Sequence, residues 1–259
     1  MKVKDITGAI EEFAPLSVQE SWDNSGLIIG SPESEVSGVL FGFDCTPELV
    51  DEAVETGADM IVTHHPLIFG GIKKISPEDP VGLAVMKAVA AGISVYAAHT
   101  TADKVISGVS GAMAERLGLV NVRILEKDGE NSGLGAVGDL PSPMSAEEAV
   151  KYVKEKFSLT AARCSRYIGT PVSRIAMCGG SGSSLIPEAM AAGAQLYVSG
   201  DISYHHFFTP QGFMVMDIGH FESEVDIVEI LFSLIRKKFP NFAVHVSGRL
   251  QDANPVQYI

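Results

Sequence analysis

Short apolar runs alternate with helix-like stretches along most of this chain. Residues 4–14 have the spacing of a short amphipathic helix that stops before Pro15, and the polar turn Ser21–Gly26 feeds a short strand at Leu27-Ile28-Ile29. Val39–Phe43 reads as a buried strand. Thr46 and Pro47 then supply an N-cap and a first helical residue for a helix that runs to about Thr56 and ends at Gly57. Met60–Thr63 is the next strand; a loop containing Gly70, Gly71, Pro77 and Pro80 leads to a helix over 81–91, and Gly92 separates it from a strand at Val95–Ala98. Ser145 and Glu148 form an S-x-x-E capping box for a helix over 146–157. A helix over about 224–238 and an apolar stretch, Phe242–Val246, close the chain. Such alternation predicts an α/β protein with mainly parallel sheets and helices on both faces.

The pattern also repeats. Val36 through His65 can be laid on Val172 through Asp201 at a constant offset of 136 without a gap, pairing Ala53 with Ala189, Gly57-Ala58 with Gly193-Ala194, and Val62 with Val198. Each copy reads strand, turn, helix, strand, then a polar cluster. The expectation is two related α/β lobes from an internal duplication, with a site between them. The polar, glycine-containing stretch 126–133 is read as the boundary, giving lobes 1–126 and 127–259, with the segment from about 225 to 259 expected to pack on the first lobe.

Composition narrows the classes. With 46% hydrophobic residues the chain can fill a core, and no apolar run approaches the roughly 20 residues of a membrane-spanning helix. The first residues lack a signal peptide's apolar run and cleavage site, so cytoplasmic residence is expected. Cys45, Cys164 and Cys178 show no CxxC spacing and read as small buried hydrophobes. A net charge of −13 with no extended basic run argues against nucleic acid as a partner.

Chemistry concentrates where strands are expected to end, the usual location of sites in open α/β sheets. His64-His65-Pro66 follows one strand, His99-Thr100-Thr101-Ala102-Asp103 another, and Asp217-Ile218-Gly219-His220-Phe221-Glu222-Ser223-Glu224 a third. Imidazole and carboxylate are the common donors for Zn, Mn, Fe, Ni and Co, and His220 and Glu224 share one helical face if a helix starts there. His99 could bind a metal, orient a ligand or shape the turn before Asp103. His245 and His206 read as incidental. The turn Cys178–Ser184 could present amides to a phosphate, although it matches neither the P-loop nor the dinucleotide fingerprint.

Thr63-His64-His65-Pro66, the His99–Asp103 run, Ser199-Gly200-Asp201-Ile202-Ser203-Tyr204-His205 and Gly219–Glu224 together resemble the Nif-three-like family, as does Trp22-Asp23-Asn24-Ser25-Gly26-Leu27. Its members carry the name GTP cyclohydrolase 1 type 2 homolog, or dinuclear metal centre protein. The resemblance spans nearly the whole chain. It implies two divalent metal ions per subunit (Zn, Mn, Fe, Ni or Co): one held by His65 and Asp103, the other by His64 and His220, with Glu224 bridging. It implies a ring-shaped homohexamer as well. Thr101 departs from the family's usual Asn. Asp201 and His205, which the repeat brings opposite the His65 end, are expected to line the cleft as orienting or proton-carrying residues.

The function these readings imply is a metal-dependent hydrolase whose ions activate a water toward a small-molecule substrate, a nucleotide by the family's name. Two alternatives stand beside it. One is a phosphoesterase or amidohydrolase acting on a substrate other than GTP. The other is a non-enzymatic metal-binding or interaction protein.

Overall fold

The structure is a computed structural model describing residues 1–259. In chain order, α1 (Val3–Phe13) is followed by β1 (Gly26–Ile29), β2 (Gly38–Gly42), α2 (Pro47–Thr56), β3 (Met60–Thr63), α3 (Pro80–Ala91) and β4 (Ser94–Ala97). Next come α4 (His99–Asp103), α5 (Val109–Arg116), β5 (Val120–Lys127), β6 (Gly133–Met144), α6 (Ala146–Lys156), β7 (Arg163–Cys164) and β8 (Val172–Met177). The chain ends with α7 (Ile186–Ala191), β9 (Leu196–Ser199), β10 (Met214–Asp217), α8 (His220–Glu224), α9 (Asp226–Lys238) and β11 (Ala243–Val246). No helix is long and apolar enough to cross a membrane.

Local signals explain most of the helix ends. The Thr46 hydroxyl accepts from Leu49 N at 3.2 Å, Pro47 opens α2, and Gly57 ends it at φ 71°. Asp79, Pro80 and Gly92 play the same parts for α3, with Asp79 accepting from Gly82 N at 2.9 Å. Each cap satisfies a backbone group that the helix leaves unpaired. In α6 the Ser145–Glu148 capping box is formed from both sides.

The chain divides into two compact units, residues 1–102 with 227–256 and residues 103–226 with 257–259. In the first unit the sheet order is β1-β4-β3-β2-β11, parallel throughout except for antiparallel β1 at one edge. Leu40, Val50, Ala53, Ile61, Ala84, Ala88 and Val95 are fully buried where α2 and α3 pack on it. The segment after β11 is tied to α2 by a buried carboxylate: Glu52 accepts from the Ser247 hydroxyl at 2.6 Å and from Gly248 N at 2.7 Å.

The second unit corrects the expectation of mainly parallel sheets. Its order is β5-β6-β8-β9-β10-β7; β8, β9 and β10 run parallel, but β5–β6, β6–β8 and β10–β7 are antiparallel. Both sheets are therefore mixed. For β5 and β6 the cause lies in the stretch 126–133, which holds the turn of a hairpin inside this unit. Asp128 N and Gly129 N donate to Ser132 O, and the Ser132 hydroxyl donates to Asp128 at 2.7 Å. A Cβ on Gly133 would lie 2.0 Å from the Glu126 carbonyl oxygen, so only glycine allows the strands to close there. A tight turn joins antiparallel neighbours without a crossover helix. The core of this unit includes fully buried Ala149, Val153, Ile175, Met177, Leu196 and Met216.

Hydrogen bonds to a buried charged acceptor contribute about 1.5–3 kcal/mol each. Glu52→Ala should therefore lower the unfolding free energy by about 2 kcal/mol or more. It should also speed amide exchange at 247–250 relative to the rest of the first unit, as read by denaturant titration and hydrogen-exchange mass spectrometry.

Candidate metal centre

In the first unit the donors stand at the carboxyl ends of parallel strands. After β3 the Thr63 hydroxyl donates to His65 O at 2.8 Å, and His64 N and His65 N both donate to Phe43 O, at 3.1 and 3.3 Å. These bonds fold the strand end so that two adjacent imidazoles lie with ring centres 4.8 Å apart, whereas extended backbone would send them to opposite faces. Phe43 packs against both, stacked on His64 at 5.7 Å and edge-on to His65 at 4.7 Å. His64 is fully buried; His65 is half-buried, and its Nδ1 lies 2.7 Å from Asp44 Oδ1.

After β4, His99 N donates to His64 O at 2.8 Å and the residue takes φ 33°. Its Nδ1 is 2.5 Å from Asp23 Oδ1. The side chain of Asp23 is fully covered and also accepts from Ser25 Oγ at 2.5 Å, from Thr100 N at 3.2 Å and from the Thr100 hydroxyl. Burial by itself would raise the pKa of this carboxyl. The hydrogen bonds from His99, Ser25 and Thr100 outweigh it and hold the group far below the usual carboxylate range.

The second unit presents its donors in the same way. Past β9, Asp201 adopts φ 49°, and its Oδ2 lies 2.8 Å from His220 Nδ1. A Cβ on Gly200 would fall 2.8 Å from His220 N, so this contact needs glycine. The one-turn helix α8 places His220 and Glu224 on one face as expected, with Nε2 3.1 Å from Oε2. Glu224 is buried against the glycine-rich turn after β8, where a Cβ on Gly180 would sit 2.3 Å from its Oε1. That turn has no amides to offer a phosphate at Gly180 and Gly182: Gly180 N donates to Ser223 Oγ at 2.9 Å and Gly182 N to Ser199 Oγ at 3.0 Å. Its glycines make room for a carboxylate. The Cys178 thiol is pushed well up by burial first and then by the carboxylates of Asp103 and Glu224, which places both acidic groups near it.

One group of side chains could hold a metal ion: single ligand atoms of His64, His65 and Glu224 all lie within 4.8 Å of one another. Two imidazoles and a carboxylate suit a first-row divalent cation, whose bonds to such donors run about 2.0–2.2 Å. Asp103, at the end of α4, and His220 lie outside that group of three. His205 is in a 3-10 turn over Tyr204–Phe207, with its ring against Tyr204 and Phe208. The sequence reading missed Asp44 and gave Asp23 no role. Asp44 stands just past the end of β2, so the strand-end logic that singled out the histidines applied to it equally.

A profile of the family described as Duf34/NIF3 (NGG1p interacting factor 3) matches residues 1–255. The chain is 34% identical over 236 residues to the GTP cyclohydrolase 1 type 2 homolog of Clostridium acetobutylicum, covering 89% of this chain and 88% of that protein. It is 31% identical over 267 aligned positions to the protein of the same name from Streptococcus pneumoniae, covering both completely. Among solved structures, Staphylococcus aureus protein SA1388 superposes with a TM-score of 0.90 at 28% identity, covering 100% of this chain and 99% of that one. A Bacillus cereus protein related to NIF3 shares the fold at TM-score 0.90 and 23% identity.

The depressed pKa of Asp23 has a stability consequence. Its contribution is complete above the unfolded-chain value of about 3.9 and declines as pH falls below it. Asp23→Asn should cost about 1–3 kcal/mol at pH 7, and the gap from the parent should narrow progressively below pH about 4. Paired denaturation curves across pH measure it; a gap independent of pH would show that the carboxylate charge contributes nothing.

Proposed function

The chain belongs to the Duf34/NIF3 family, and from that premise we propose that it is a dinuclear metal-dependent hydrolase acting on a small-molecule substrate. The observation that carries this reading is the cluster of His64, His65 and Glu224 donors. In the proposed arrangement His65 and Asp103 hold one ion, His64 and His220 the other, and Glu224 serves both. Divalent ions held there would supply Lewis acidity and make water easier to deprotonate. The chain's own part is to present the donors. Asp44 and Asp201 each face an Nδ1, of His65 and of His220, which leaves the Nε2 atoms as donors and fixes each ring's orientation. Asp201 acts here through His220. His205, packed on Tyr204 and Phe208, is the weaker member of the sequence-derived pair.

The relatives' name points to opening of a guanine ring as the reaction. Hydrolysis of a phosphoester or amide would use the same donors, so the substrate class rests on that name. The non-enzymatic alternative, a metal-holding interaction protein, shares the ligands and differs in turnover.

His64→Ala and Glu224→Ala should each lower bound metal by at least half while far-ultraviolet circular dichroism stays as in the parent. Parent-like stoichiometry in both, by elemental analysis, rejects the ligand assignment. Metal-loaded protein should turn over a nucleotide, phosphoester or amide, and Glu224→Ala should abolish that turnover. Full metal content with no turnover of any of these favours the interaction protein.

A further inference from the structure

Three rings in the first unit converge where the strand ends carry His64 and His65. Trp22 and Phe69 have centroids 5.8 Å apart, and each meets the His99 ring edge-on, at 6.0 and 5.7 Å. Trp22 and Phe69 are each 58% exposed, although large aromatic side chains ordinarily bury most of their surface. The His99 side chain is only 12% exposed, and its ring lies 5.8 and 5.6 Å from those of His64 and His65. An apolar, two-ring wall thus flanks an imidazole that borders the candidate metal donors.

The chemistry of that imidazole is set by Asp23. This carboxylate accepts from Ser25, from Thr100 N and from the Thr100 hydroxyl, so it faces His99 as an acceptor and the imidazole proton belongs on Nδ1. In the neutral ring with its proton on Nδ1, the other nitrogen, Nε2, carries the lone pair. The same Asp–Nδ1 arrangement orients His65, one of the grouped metal donors, and His220, which like His99 lies outside that group. Trp22 and Phe69, inclined at 58°, form an exposed aromatic corner beside that acceptor, which suits a flat ring that carries an N–H and lies on one of them.

We propose that Trp22, Phe69 and His99 form a substrate subsite for a neutral, planar nitrogen heterocycle, stacked on one of the two aromatic rings, meeting the other at an angle, and donating an N–H to His99 Nε2. This rests on the proposed hydrolase reading, because it sets the ring beside the donors that would hold the ions. Asp23 is then a positioning residue acting through His99.

Trp22 is the single tryptophan of the chain, so its emission reports on this subsite without reference to turnover. Chelator-treated and metal-loaded full-length protein are titrated with guanosine, which has the ring and no phosphate, and with tripolyphosphate, which has the reverse. Saturable quenching by guanosine and none by tripolyphosphate is the expected result. Phe69→Ala should raise the apparent Kd for guanosine about tenfold, the effect of losing one stacked ring. His99→Phe, which keeps an aromatic ring and removes the acceptor, should weaken guanosine by a similar factor while circular dichroism is unchanged. Absence of quenching, an equal response to tripolyphosphate, or a Phe69→Ala variant that binds like the parent overturns the proposal. So does emission that changes on dilution of the free protein with no response to guanosine, because the rings would then be covered by a second copy. Elemental analysis of the same samples keeps the two readings apart. Bound ions without quenching remove this subsite and leave the metal centre; quenching by protein that takes up no ions on metal loading supports the subsite and removes the metal centre.

Discussion

Carboxylate-to-imidazole pairing through Nδ1 is the interaction on which the arrangement of the strand-end histidines depends. It occurs at three strand ends: Asp44 with His65, Asp23 with His99, and Asp201 with His220. In each, the carboxylate restrains the ring through Nδ1; His220 meets a second carboxylate, Glu224, at Nε2, 3.1 Å away. An imidazole without such a partner would sample both tautomers and several rotamers. Ordering it would then oppose binding of an ion or substrate.

Close backbone approach is the second requirement, and glycine meets it. Gly200 lets the Asp201 turn lie against the start of α8, and Gly180 yields space to the Glu224 carboxylate. The glycine-rich turn after β8 looks like a phosphate cradle in sequence but directs its Gly180 and Gly182 amides to Ser223 and Ser199. A buried acid is thereby accommodated without a phosphate. Burial first, and then the nearby carboxylates of Asp103 and Glu224, push the Cys178 thiol up, which makes it a poor nucleophile at neutral pH.

The first unit's parallel strands and capped helices place the His64-His65 end and the His99 end side by side, since β3 and β4 are neighbours in register, Thr63 opposite Ala97. In the second unit β9 and β10 do the same for Asp201 and His220, with Ser199 opposite Asp217. Donors far apart in sequence meet because parallel neighbours end at the same edge of their sheet.

Much of this was legible in the sequence. Thr46-Pro47 with Gly57, and Ser145 with Glu148, marked helix ends because capping is a contest between a side chain and backbone groups only a few residues away. The i, i+4 spacing placed His220 and Glu224 on one face for the same local reason. Relations through space were not legible. Asp23 lies 76 residues from the imidazole it holds, and no periodicity joins them. The 126–133 stretch, polar and glycine-containing, is equally consistent with a linker and a hairpin; pairing of β5 with β6 and of β6 with β8 decided it. The sequence by itself determined which residues could be donors and on which kinds of element they stand. Tertiary structure alone decided their partners, tautomers and room, because those depend on contacts between strands that local chemistry does not encode.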